Sequence, residues 1–343
     1  MRAKRTLANT LANTIYGRKS PYPNTLASRL LTDFTNCKLG KTIIGEGSYS
    51  KVLVMEHFNP ETQTREHKAL KLVKPEINPT SKKNVKLFGL TRKRPGGEWN
   101  ALDKFGPHVL SASHAIALNN KTRDVFLFSA EKFQEYQKIS QEERENLHYT
   151  LIGTVSEYIQ GSKTLDKFGI ISTEKVRIYG TQLLKGLKDI HSHSIIHRDM
   201  KPENVIVTQD GKEVKIIDLG FSRVADKERK RQSIKGSPIF AAPELLFNEG
   251  YNYKVDIYSL GITFLFMATG LDTLLDENGN NIDTLDCLRN FLSDPKEKAK
   301  NNLLKLVQDS NLRDLIKVLT QKEPENRPTA EEALNHPFFQ VNA

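Results

Sequence analysis

His-Arg-Asp-Met-Lys-Pro-Glu-Asn fills residues 197–204, followed by Val-Ile-Val (205–207), Gln-Asp-Gly (209–211), Val-Lys-Ile-Ile (214–217) and Asp-Leu-Gly (218–220). Two short β-branched runs on either side of an Asp-Gly turn are the pattern of a β-hairpin. A hairpin returns the chain to its start, so Asp199 and Asn204 on the way in come close to Asp218 on the way out. Lys201 lies among them. Two carboxylates and an amide at one end of a ribbon offer hard oxygen ligands, which suit Mg²⁺ shared with phosphates. A carboxylate beside such a site can accept a hydroxyl proton. The pattern points to phosphoryl transfer.

At these residues the chain resembles the eukaryotic-type serine/threonine protein kinases. The family's catalytic loop, His-Arg-Asp-x-Lys-x-x-Asn, is met at His197, Arg198, Asp199, Lys201 and Asn204. Its magnesium motif Asp-Phe-Gly stands as Asp218-Leu219-Gly220, with Leu in place of Phe. The resemblance implies ATP and Mg²⁺ as cofactors. It makes Asp199 the catalytic base, gives Lys201 the γ-phosphate, and gives the metal to Asn204 and Asp218.

Other family parts occur in order on both sides. Thr42 to Met55 reads strand, glycine turn, strand, and Gly45-Glu46-Gly47-Ser48-Tyr49-Ser50 forms the turn. Glycines let backbone N–H groups approach a phosphate, although an ordinary hairpin has the same pattern. The family's Gly-x-Gly-x-x-Gly-x-Val is met at Gly45, Gly47 and Val52, with Ser50 in the third glycine position. A third strand, His67–Val73, carries Ala69-Leu70-Lys71, similar to the family's Ala-x-Lys. That makes Lys71 the candidate for the α- and β-phosphates, with Lys68 and Lys74 as competitors. Glu98, opening a helix-compatible run, resembles the acid that pairs with this lysine. Strands are expected near Ala115–Leu118, Val125–Phe128 and Leu151–Val155, with a charged, helical insert between Ser129 and His148. By resemblance Ser156 is the gatekeeper, the backbone of Glu157 and Ile159 meets adenine, and Val52, Ala69 and Ile206 line the nucleotide.

Val176, Tyr179, Leu183, Leu187 and Ile190 recur at three- and four-residue steps, which predicts a helix from Glu174 to His193. His191 and His193 at its end receive no chemistry. Gly236-Ser237-Pro238 and Ala242-Pro243-Glu244 resemble the end of an activation segment, where Ser233 is the expected phosphosite, with Arg198 and Arg223 as receivers. Asp256 resembles the brace of the catalytic loop, and Arg327 the partner of Glu244. Thr329 and Glu332 form a capping box. Residues 271–311 match the family poorly.

The chain's 343 residues allow one large or two modest domains. No apolar run approaches the roughly 20 residues of a membrane span. Cys37 and Cys287 suggest neither a disulfide framework nor a zinc site, and a reducing compartment, the cytoplasm, is expected. The net charge is +10, concentrated near Lys82–Arg94 and Lys227–Lys235. Neither patch interleaves aromatics, so solvated loops are expected and nucleic acid is not.

The expected fold is α+β, a two-lobed protein kinase domain over residues 39–340. A small antiparallel β-rich N-lobe covers 39–159 and a mainly helical C-lobe covers 160–340, after a basic tail at 1–38. The expected partner is a protein substrate bearing Ser or Thr; the oligomeric state is left open. A pseudokinase scaffold is the rival from another class, suggested by Ser50 and Leu219. All the charged and ligand positions remain, which favours an active enzyme.

Overall fold

The computed structural model describes residues 37–46, 50–59, 63–73, 104–119, 125–138, 149–224, 238–247 and 249–340. Gly47, Ser48, Tyr49, Glu98 and Ser233 lie outside the described residues, as do nearly all of the tail and the stretch 74–97. The described residues form two compact units. One takes those up to Lys104 together with Ser111–Ile159, and the other takes Phe105–Leu110 and the chain from Gln160 onward.

The first unit is built on a six-stranded antiparallel sheet. Its strands are β1 (Cys37–Glu46), β2 (Ser50–Asn59), β3 (Thr64–Val73), β4 (Ala112–Asn119), β5 (Val125–Ser129) and β6 (Tyr149–Glu157). Helix α1 (Ala130–Lys138) follows β5, in the insert expected to be helical. The order across the sheet is β1-β2-β3-β6-β4-β5. Alternation puts Leu53 and Met55 of β2, Leu70 and Leu72 of β3 and Val155 of β6 into the core. Where β3 and β6 meet, a Cβ on Gly153 would come within 2.5 Å of the Lys71 carbonyl oxygen. Only glycine permits that approach.

The second unit is mainly helical. Its small strands are β7 (Lys163–Thr164), β8 (Ile195–Ile196), β9 (Val205–Val207), β10 (Val214–Ile216) and β11 (Arg223–Val224). Its α-helices are α2 (Thr173–Ser192), α3 (Pro243–Leu246), α4 (Lys254–Thr269), α5 (Leu285–Ser293), α6 (Lys298–Lys305), α7 (Ser310–Leu319) and α8 (Ala330–Ala333). The five periodic positions of α2 are all buried. Helix α4 is apolar nearly all round, and every residue from Val255 to Met267 is buried, so it forms the centre of this unit.

One ion pair locks the C-terminal end to the centre. Arg327 spans the Glu244 carboxylate through Nη1 and Nη2 at 2.6 and 2.9 Å. Its remaining N–H groups reach the carbonyls of Gln321, Lys254 and Lys322, so all five donors are used. The capping box at Thr329 and Glu332 is present in both directions. The β-sheet unit and the helical unit are the α+β fold expected from the sequence.

Candidate active site

The hairpin forms where the sequence predicts it. Val205–Val207 pairs antiparallel with Val214–Ile216, and Gly211 takes φ +67° in the turn. Helix α2 holds that turn from below. Tyr179 Oη donates to the Gly211 carbonyl at 2.9 Å, and Gln182 takes the Val214 N–H at 2.7 Å while donating to the Lys212 carbonyl. One step beyond the ladder, the Ile217 N–H donates to the Asn204 carbonyl at 2.9 Å, so Asp218 starts beside Asn204. A second ribbon, β8 with β11, closes the other ends of both loops. The loop 197–204 and the loop 217–222 are thus pinned by two short ladders.

Within the first loop, Asn204 Nδ2 donates to the Asp199 carbonyl at 2.6 Å and to Asp199 Oδ2 at 2.8 Å. Lys201 Nζ lies 3.6 Å from the same carboxylate oxygen. The Asp199 N–H donates to His197 Nδ1 at 3.3 Å, and His197 Nε2 lies 3.0 Å from the Ile217 carbonyl, so this buried ring ties the two loops together. Asp199 is only 7% exposed. Burial pushes its carboxyl above the ordinary carboxylate range; Lys201, His197 and Asn204 oppose that shift, and the Asp218 carboxylate adds to it. Asp218 adopts the left-handed region at φ +63° and accepts the Gly220 N–H at 3.0 Å. Leu219 is buried, so an aliphatic side chain fills the apolar place of phenylalanine.

The donor set fits Mg²⁺. Asn204 Nδ2 is turned toward Asp199, which leaves its side-chain oxygen to face a metal were one bound, and Asp218 would add a carboxylate. Among the described residues there is no cluster of three His, Cys, Asp or Glu side chains, as an all-protein metal cage would need.

A third carboxylate carries the loop. Asp256, at the start of α4, accepts the N–H of His197 at 2.8 Å and of Arg198 at 2.7 Å. His191 Nε2 donates to it at 2.9 Å. Burial alone would raise Asp256, but the His191 hydrogen bond and the other donors hold it below its ordinary value. Read from sequence, His191 receives no chemistry, yet it donates to the carboxylate that holds the loop. Its signal was position: the end of an amphipathic helix, six residues ahead of His197.

The first unit arranges the other candidates. Gly45 lies opposite Val52, Val52 opposite Lys71, and Lys71 opposite Thr154, one row across four strands. Two residues along, Ala69 lies opposite Ser156. Directly opposed residues share a face, so Val52, Ala69, Lys71 and Ser156 lie together. Lys68 has the other parity and pairs with Glu66 at 3.1 Å, and Lys74 lies outside the described residues. Glu46 pairs with Lys51 at 3.5 Å. Ser50 opposes Val73, and Glu157 lies opposite Lys68 on the face away from Lys71. Ile43 and Ile44, just before Gly45, are exposed apolar residues that the sequence reading did not single out. In the second unit Ile206 is half-buried between Val205 and Val207, both fully buried, and lies opposite Thr164 and Lys215.

Comparison with known proteins agrees with this geometry. Residues 134–339 match the family described as the protein kinase domain. The chain is 33% identical over 198 residues to serine/threonine-protein kinase pakA of Talaromyces marneffei, covering 57% of this chain and 29% of that one. It is 35% identical over 188 residues to mitogen-activated protein kinase kinase kinase 2 of Arabidopsis thaliana, 53% of this chain and 28% of that one. With serine/threonine-protein kinase 17A of Oryctolagus cuniculus the identity is 33% over 160 residues, 46% and 38% of the two chains. The chain thus spans between 28% and 38% of the length of these curated relatives. The family match begins after Gly45, Val52, Ala69 and Lys71, and it takes in both loops, the Asp256 brace and the Glu244–Arg327 pair. Over more than half its length, and through every residue of the loop framework described above, this chain belongs to the protein kinase family.

Proposed function

We propose that this protein is a serine/threonine kinase that transfers the γ-phosphoryl group of ATP to protein hydroxyls. The observation that carries the reading is Asp199: a buried carboxylate, held by Asn204, with Lys201 at 3.6 Å and Asp218 beside it. Its raised affinity for a proton suits a group that must take one from a serine or threonine hydroxyl. Lys201, next to that carboxylate, steadies the transferring phosphate and keeps the base oriented. Asn204 and Asp218 would hold Mg²⁺, which when bound neutralises charge on the phosphates. Lys71 is assigned to the α- and β-phosphates, and Gly45, Val52, Ala69, Ile206 and the backbone of Glu157 and Ile159 to the rest of the nucleotide. Positioning and charge neutralisation are what such a transfer needs from the protein. The exposed Glu203 favours substrates with an arginine near the target residue, since an Arg–carboxylate pair is strong and directional.

Incubation of the purified chain with γ-labelled ATP, Mg²⁺ and a peptide array tests the reading. Label is expected on serine or threonine peptides, and it should be lost in Asp199→Asn and in Lys71→Met while both variants stay folded. Substantial transfer by Asp199→Asn would overturn the assignment of the base.

A further inference from the structure

Arg198 occupies the left-handed region at φ +66°, an uncommon place for a long side chain. Such a conformation persists only where its surroundings over-determine it. The backbone on the N-terminal side is held by Asp256, through the N–H groups of His197 and Arg198. On the C-terminal side, the Asp199 N–H returns to His197 Nδ1. These bonds act on the backbone, and Tyr251 adds a hold on the Arg198 side chain itself. Arg198 Nη1 donates to Tyr251 Oη at 3.1 Å.

Tyr251 lies five residues ahead of Asp256, and the chain between them is a tight, bonded turn. Asn252 Oδ1 accepts the Lys254 N–H at 2.8 Å, and the Asp256 N–H donates to the Tyr253 carbonyl at 3.1 Å. Tyr253 packs its ring against His191 with centroids 5.3 Å apart. One short segment, 251–256, therefore grips the backbone of Arg198 with a carboxylate and its side chain with a hydroxyl.

We propose that Tyr251 is a positioning residue for Asp199, acting through the Arg198 side chain. The proposal rests on the reading of Asp199 as the base. Removing the hydroxyl frees one grip on a strained residue whose next neighbour must point its carboxylate at a substrate. Small displacements of a reacting group are costly in rate, so the loss falls on turnover and not on nucleotide binding.

Steady-state kinetics and hydrogen–deuterium exchange on the full chain test this. Tyr251→Phe keeps the ring and is expected to lower kcat about tenfold, with KM for ATP within about twofold, as expected for one lost bond to a charged group. Amides in a peptide spanning residues 197–204 should exchange faster, and those of helix α2 should not. In an Arg198→Ala background, or in Arg198→Met if the alanine variant does not fold, adding Tyr251→Phe should change neither reading. Unchanged kcat or unchanged exchange in Tyr251→Phe overturns the proposal. An equal loss in the Arg198 background overturns it too, because Tyr251 would then act by another route. Absence of phosphoryl transfer by the unmodified chain would instead sink the kinase reading, and the exchange comparison would still decide whether Tyr251 holds the loop.

Discussion

Asp199 and Asp256 are both buried carboxylates in one loop framework, and their environments push them in opposite directions. Asp256 is fully enclosed but receives three N–H donors, from His197, Arg198 and His191, and its proton affinity falls. Asp199 is nearly as enclosed, yet its side chain receives Asn204 Nδ2 with Lys201 farther off at 3.6 Å, and its proton affinity rises. Enough donors turn burial into an anchor. At Asp199 burial outweighs the donors and the Lys201 charge, and the neighbouring Asp218 carboxylate adds to the rise. The two residues thus stand on opposite sides of the ordinary carboxylate value within one hydrogen-bonded framework, and under the proposed function Asp199 is the one that takes the proton.

The sharpest way to break this contrast is to remove the anchor. Asp256→Ala strands three N–H groups, one buried and two half-buried, and a buried one costs about 1–3 kcal/mol when left unmade. Denaturant unfolding should show a loss of about 3 kcal/mol or more. A loss under about 1 kcal/mol would mean the loop holds itself.

Asp199→Asn should do the reverse. Transfer is expected to fall about 10²–10³-fold or more, while stability at neutral pH stays level or rises. The sign follows from its raised folded-state value. Protonation favours the native state, so the contribution of Asp199 is fully present below its ordinary 3.8 and is lost as pH rises through the higher folded value. The stability gain in the asparagine variant should therefore appear at neutral pH and vanish in acid. A variant less stable than the parent at pH 7 would contradict the division of roles.

Much of this framework is legible in the sequence because it is written at short range. The hairpin follows from two β-branched runs and a turn, helix α2 from five apolar positions, and the last cap from Thr329 and Glu332. What needed the structure is long-range. The partner of His191 lies 65 residues on, so no local pattern could separate it from an ordinary helix-end histidine. That Lys71 shares a face with Val52 and Ala69 follows from strand register, which places β6 next to β3 although β4 and β5 come between them in the chain. The Phe105–Leu110 segment lies in sequence within the stretch expected for the N-lobe, yet it packs with the second unit. There Leu110 N–H bonds to the Ile216 carbonyl. Residues 271–311 hid readable helices. Thr284 caps α5, and Leu288 and Leu292 form its buried stripe, but family likeness was weak there.

The smallest expected effect concerns His191, and it tests whether the anchor depends on a donor or only on a filled space. His191→Leu keeps the volume but removes the Nε2–H that reaches Asp256 at 2.9 Å. His191→Gln offers an N–H at similar reach. The leucine variant should lose about 1–3 kcal/mol, and the glutamine variant clearly less. Acid should magnify the difference. Asp256 lies below its ordinary 3.8 in the folded state, so its contribution is present above that value and is lost as pH falls through the lower one. Without the His191 donor the folded value moves back up, and the acid-unfolding midpoint of His191→Leu should move to higher pH. Equal midpoints for leucine and glutamine would reduce His191 to packing, and Asp256 would then owe its low value to the two backbone N–H groups alone.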